Sequence, residues 1–265
     1  MKFLDIATGD RDGIVHVTMN RGPVNAVDQA MYVEIAELFR NPDAFCKSVR
    51  AIILSGAGRH FCGGNDLDEF ASMTPVNARE RMWRVREAFF AIMECAVPVI
   101  GVVRGAALGT GLAIAASCDF VLAGEDALFG LPELTVGVMG GARHLARLAP
   151  QPLVRRMYFT GEAMSAPDFA AAGGAIKVCD GETVLAEAER LAGRIAGYSP
   201  TAVRVSKRVL DRIEWMDVQE GYAFEQSATE RMSGHPDSKE ALAAFREGRD
   251  PSYLPLDRNA GWYGL

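Results

Sequence analysis

Short Val- and Ile-rich runs alternating with amphipathic stretches predict an α/β fold over residues 1–200. Beyond them come helical patterns with no strand between them, which predict an all-helical region over residues 201–265. The first strand is Ile14 to Met19, with Val15, Val17 and Met19 on one face. Asn25 to Asp28 opens a helix whose apolar positions Met31, Ile35, Leu38 and Phe39 fall at helical spacing. Ala51 to Leu54 is wholly apolar, as suits a strand covered on both faces, and Gly56 and Gly58 end it. Arg79 to Glu94 reads as a second helix, stopped near Pro98. Val99 to Val103 is another buried strand, Leu108 to Ala116 a helix of small apolar residues, and Phe120 to Ala123 a further strand. Short strands beside Ala- and Gly-rich helices suggest tight layers rather than a wide sheet. Glu182 to Ala196, Thr201 to Ile213, Val218 to Met232 and Ser238 to Arg246 are helical in period, with Pro200 and Pro236 at helix starts.

Composition narrows the function. The 265 residues are 49% apolar and 23% charged, ordinary for a globular protein. No apolar run reaches the roughly 20 residues of a membrane helix. Residues 1–10 carry charges and lack the apolar core of a secretory signal, so a cytoplasmic location is expected. A net charge of −6 argues against a nucleic-acid partner. The five cysteines are scattered without C-x-x-C, and the four histidines show no zinc spacing, so neither metal nor disulfides are expected. Gly109-Thr-Gly111 lacks the third glycine of a dinucleotide loop, because position 114 is Ile. Neither a P-loop nor a G-x-S-x-G elbow occurs.

Three segments carry the chemistry. In Arg59 to Leu67, a strand runs into Gly63-Gly64, a turn that bares main-chain N–H groups. In Arg104 to Ala113, Gly105 and Gly109 join a buried strand to an apolar helix, whose N-terminus offers free donors. Donors from two such segments converging on one oxygen would make an oxyanion hole. Taken alone, each glycine turn reads first as a tight connection. In Phe129 to Leu134, Glu133 follows a proline among few other charges, where a carboxylate's pKa rises and it gains the character of a base. It is equally readable as a solvated loop carboxylate or a structural acceptor.

Taken in order, these segments resemble the crotonase (enoyl-CoA hydratase/isomerase) superfamily. The likeness runs over roughly residues 10 to 250. It includes Val17 to Arg21, Asn25 to Asp28, Phe61 to Asp66, Pro98 to Ile100, Gly105 to Gly109, Cys118-Asp119, Phe129 to Glu133, Phe159 to Gly161 and Lys239 to Phe245. The resemblance implies a spiral of ββα turns followed by helices that mediate a homotrimer or hexamer. It implies an acyl-CoA substrate, with no cofactor beyond the CoA thioester itself. The family's main-chain donors fall on Asn65 and Thr110. Its CoA and pantetheine contacts fall on Val24, Ala26, Cys62, Gly63, Asp66 and Leu67, and a neighbouring subunit's contact falls on Phe245. Hydratases of the family place two glutamates at the substrate; the second falls on Glu133, the first on Ala113. A methyl group moves no proton, and one base suffices to take a proton at C2 and return it at C4. The resemblance therefore implies isomerisation ahead of hydration, with a CoA-binding homologue that does not turn over as a third reading. Arg143 and His144 stand where many relatives have glycine. His144 reads either as a group for proton transfer or substrate recognition, or as a solvent-facing or capping residue. The position of the family's dehalogenase nucleophile is Gly141 here. Gly248 replaces a tail lysine, with Arg249 next to it.

Overall fold

The computed structural model describes residues 1–9 and 11–256. Its principal sheet has six strands in the order β1 (Leu4–Thr8), β2 (Ile14–Met19), β3 (Ala51–Gly56), β4 (Val99–Val103), β6 (Phe120–Gly124) and β9 (Ile176–Cys179). The β1–β2 pair is antiparallel and the rest are parallel. The sheet is wider than the sequence suggested because β1 and β9, both with half-exposed faces, extend its two edges.

Alternating side chains explain why the central strands are apolar throughout. Ile52 and Leu54 face a core that holds α1 (Gln29–Arg40), α3 (Pro75–Met93) and α4 (Thr110–Ser117). Ala51 and Ile53 face the opposite core under α8 (Val184–Ala196). On β2, Val15, Val17 and Met19 share the first face, while His16 points to the second and pairs with Glu189 of α8. A second, small sheet contains β5 (Ala106–Leu108), β7 (Leu128–Gly130) and β8 (Met164–Ser165).

Several boundaries differ from the sequence reading. α1 starts at Gln29 behind an Asp28 N-cap, because Asn25 takes a left-handed backbone with φ 53°. α3 starts at Pro75, not near Arg79, where Thr74 and Asn77 form a reciprocal capping box. Leu108 belongs to β5 rather than to a helix, because it pairs with Gly130. Short helices α2 (Leu67–Ala71), α5 (Ala142–Leu145), α6 (Gln151–Thr160) and α7 (Ala166–Ala171) complete the body.

The helical region begins at Pro200, capped by Ser199, and comprises α9 (Pro200–Ile213), α10 (Val218–Ser233) and α11 (Pro236–Glu247). Residues 257–265 of that expected region lie outside the described residues. α9 is fastened to the body by buried charge. Arg204 reaches Asp43 at 2.8 Å and the Val49 carbonyl at 3.0 Å. Lys207, also buried, bonds Asp211 at 2.6 Å, Asp119 at 3.0 Å and the Met93 carbonyl.

Candidate active site

Strand pairing brings the three glycine-bearing segments to one place. β5 is flanked on one side by Cys62, through Cys62 N–H to the Ala106 carbonyl (2.9 Å) and Leu108 N–H to the Cys62 carbonyl (3.0 Å). On its other side lies β7, with Leu108 opposite Gly130. All three run parallel, so the chain leaves them at the same end, as Gly63 to Asp66, Gly109-Thr110 and Leu131 to Glu133. A fourth strip joins through Gly63 N–H to Val24 (2.8 Å) and Asp66 N–H to Val27 (3.0 Å). The approach is close: a Cβ on Gly111 would sit 2.2 Å from the Cys62 carbonyl oxygen, so only glycine lets α4 start there.

A cleft of ≈ 420 Å³ opens at this junction, within the range of small-molecule sites. Val24, Ala26, Gly63, Asn65, Asp66, Leu67, Thr110 and Glu133 line it, with Phe70, Val136 and Val138 adding apolar wall. Thr110 is the first residue of α4, so its N–H has no intrahelical partner. The Asn65 N–H takes no part in the pairing with Val27. Neither amide meets an acceptor among the described residues.

Glu133 begins a short 3₁₀ turn (Glu133–Val136) and is only 9% exposed. Its Oε1 lies over bare backbone: a Cβ on Gly109 would be 3.4 Å from it, and one on Gly141 3.2 Å. Its Oε2 is buried without a hydrogen-bond partner among the described residues. Burial pushes the carboxyl up to about 7. Ala113, where the resemblance places the family's other glutamate, is buried within α4.

The loop carrying Asn65 is pinned from below. Asn25, 1% exposed, donates through Nδ2 to the carbonyls of Ala57 (2.9 Å) and His60 (2.8 Å) and accepts from Arg21 N–H (3.0 Å). Arg21 in turn bonds Asp66 at 2.6 Å. Asp66 caps α2 through the Glu69 N–H, and that bond together with Arg21 holds its carboxyl below the usual range. Leu67 is 62% exposed at the mouth.

One expected contact falls elsewhere. The Cys62 side chain is fully buried, with Sγ 3.8 Å from the Gly64 carbonyl and its thiol pushed up to about 12 by burial; it does not line the cleft. Phe245 stands 86% exposed on α11, neither in the cleft nor in a core. Arg249 is engaged within the tail, by Glu240 at 2.5 Å and Glu247 at 2.6 Å. His144 is neither a solvent-facing cap nor a cleft residue. It packs edge-on against Phe89 at 4.8 Å, and burial followed by nearby Arg147 and Arg143 lowers it to about 4. Arg143 instead covers the Trp215 ring at 4.3 Å. The sequence reading missed Tyr32, whose buried hydroxyl lies behind the cleft wall; its place one residue after Met31 marks it only as core.

Among the described residues no His, Cys, Asp and Glu cluster is arranged to hold a metal, and no helix is long and apolar enough to cross a membrane. The family model for enoyl-CoA hydratase/isomerase matches residues 9–255. A hydrolase of Rhodococcus jostii that acts on (7aS)-7a-methyl-1,5-dioxo-2,3,5,6,7,7a-hexahydro-1H-indene-carboxyl-CoA is 34% identical over 228 residues, covering 84% of this chain and 86% of that one. The 2,3-dehydroadipyl-CoA hydratase of Escherichia coli is 31% identical over 248 residues, covering 91% and 94%. The crystal structure of enoyl-CoA hydratase from Bacillus anthracis superposes with a TM-score of 0.88 at 28% identity, covering 96% of this chain and all of that one. The chain therefore belongs to the enoyl-CoA hydratase/isomerase family, within the crotonase superfamily. It is an α/β acyl-CoA enzyme of that type with a C-terminal helical region.

Proposed function

We propose that this enzyme forms an enolate beside a CoA thioester and shifts a carbon–carbon double bond between C3 and C2, with Glu133 as its single proton carrier. The carrying observation is one buried carboxylate, with an unpartnered oxygen, in a cleft shared with two unpaired main-chain amides. The ionised Glu133 takes the C2 proton of a 3-enoyl-CoA. The electron pair moves onto the thioester oxygen, which the Asn65 and Thr110 N–H groups receive. Collapse of the dienolate returns the proton from Glu133 to C4, leaving a 2-enoyl-CoA and the carboxylate restored. A group held near pH 7 both accepts and releases a proton readily. Alanine at 113 supports a single carrier. Val24, Ala26, Gly63, Asp66 and Leu67 would contact the CoA arm. The exposed Phe245, Leu242 and Tyr222 of α10 and α11 support a homotrimer formed by the helical region.

A second reading is water addition, which the hydratase names among the relatives favour. The two separate when the protein is incubated with a 2-enoyl-CoA and with a 3-enoyl-CoA in deuterated water. Double-bond movement with deuterium at C2 and C4 is expected; hydration without movement refutes isomerisation. Glu133→Gln is expected to lower turnover at least ~100-fold while sparing binding of coenzyme A. Undiminished turnover refutes its role.

A further inference from the structure

We propose that Tyr32 is a positioning residue, whose hydroxyl ties the side chains of Asn65 and Thr110 together and so holds their main-chain donors in register. The proposal rests on the enolate reading above and deepens it. Tyr32 lies near the start of α1, fully buried, its ring edge-on to Phe89 at 6.1 Å. A hydroxyl so deep requires partners. It donates to Asn65 Oδ1 at 2.6 Å and shares a hydrogen bond with Thr110 Oγ1 at 2.9 Å. Those side chains are its partners among the described residues. They belong to the two residues whose N–H groups meet no acceptor.

One atom of α1 thus joins the ends of two segments that reach the cleft by different routes, the Gly63-Gly64 turn and the start of α4. Tyr32 does not itself line the cleft, so it acts through the residues it holds. Donors to a developing oxyanion work because they are already in place when charge appears. With the hydroxyl removed, each donor's direction depends on its own loop. Burial raises the phenol's pKa, so the group stays a neutral hydroxyl at every working pH.

The test compares Tyr32→Phe, which keeps the ring and removes one oxygen, with the parent in C2-proton exchange on a six-carbon 3-enoyl-CoA in deuterated water. A loss in kcat of about tenfold is expected, with KM and binding of coenzyme A within about twofold, because a small misplacement costs that much without touching ground-state contacts. The same change is then made in an Asn65→Ala, Thr110→Val background, where it is expected to alter kcat less than twofold. An unchanged kcat for Tyr32→Phe overturns the proposal. So does an equal loss in both backgrounds, which would place its effect outside those two side chains. Exchange that Glu133→Gln abolishes but Tyr32→Phe leaves intact overturns the positioning role alone. Absence of exchange in the wild type overturns the enolate reading and this proposal with it.

Discussion

Glu133 ties the chemistry of the cleft to the stability of the fold. Burial moves its carboxyl from 4.5 to about 7. At roughly 1.4 kcal/mol per unit, ionising it in the folded chain costs about 3 kcal/mol more than in the unfolded chain. The folded protein holds this proton more tightly. The corresponding stability is present in full below pH 4.5, declines as pH rises, and is lost above about 7. Glu133→Gln removes the titration. Urea unfolding of both proteins at pH 5 and pH 8, at one fixed protein concentration, is the assay. The variant should gain on the wild type by about 2 to 3 kcal/mol between those pH values. Any constant cost of seating an amide in the same place cancels in that comparison. A gap that stays fixed, or that shifts in favour of the wild type at pH 8, refutes the claim that burial alone raises this group.

Gly141→Ala would place a methyl 2.8 Å from Leu131 Cδ2 and 3.2 Å from Glu133 Oε1, at a backbone φ of 73°. Its kcat for C2 exchange should fall about tenfold through displacement of the carboxylate, and a wild-type rate would count against that contact. Lys207→Met leaves Asp119 and Asp211 facing each other without their cation. Denaturation should show a loss of about 3–5 kcal/mol, and a neutral result would show that the Lys207 ion pairs do not help hold α9 to the body.

Periodicity revealed the parts of this fold that are buried on two sides or carry a long apolar stripe. Ala51 to Leu54 and Val99 to Val103 are such strands, and α8 such a helix. It failed where pairing rather than burial defines the element. β5, β7 and β8 are two or three residues long, and a strand that short has no readable period. β1 buries only Leu4 fully and leaves most of its length to solvent. The start of α3 was missed because Val76 is 93% exposed and Trp83 49%, so its first turns carry no apolar stripe, although Thr74 and Asn77 held the capping signal. In the cleft, the glycine turns marked the segments that bear Asn65 and Thr110, a proline in a stretch with few charges marked Glu133, and the family resemblance assigned the individual residues. These signals were silent on Tyr32 and on the side-chain clamp of Asn25, because both act across distances in sequence that no local pattern records. Cys62 misled for a related reason: the backbone at that position is at the centre of the pairing, while the thiol is directed to Gly64.

The pairing around β5 has a consequence for how such a site changes over time. The groups that would grip the carbonyl oxygen are peptide amides, which every amino acid but proline supplies. Side chains at 65 and 110 are consequently spared from the grip itself and can be recruited for other tasks, as the shared bond to one phenol illustrates. Replacement at these two positions should adjust the chemistry by degrees, whereas a disturbance of the ladder that carries them should end it at a stroke.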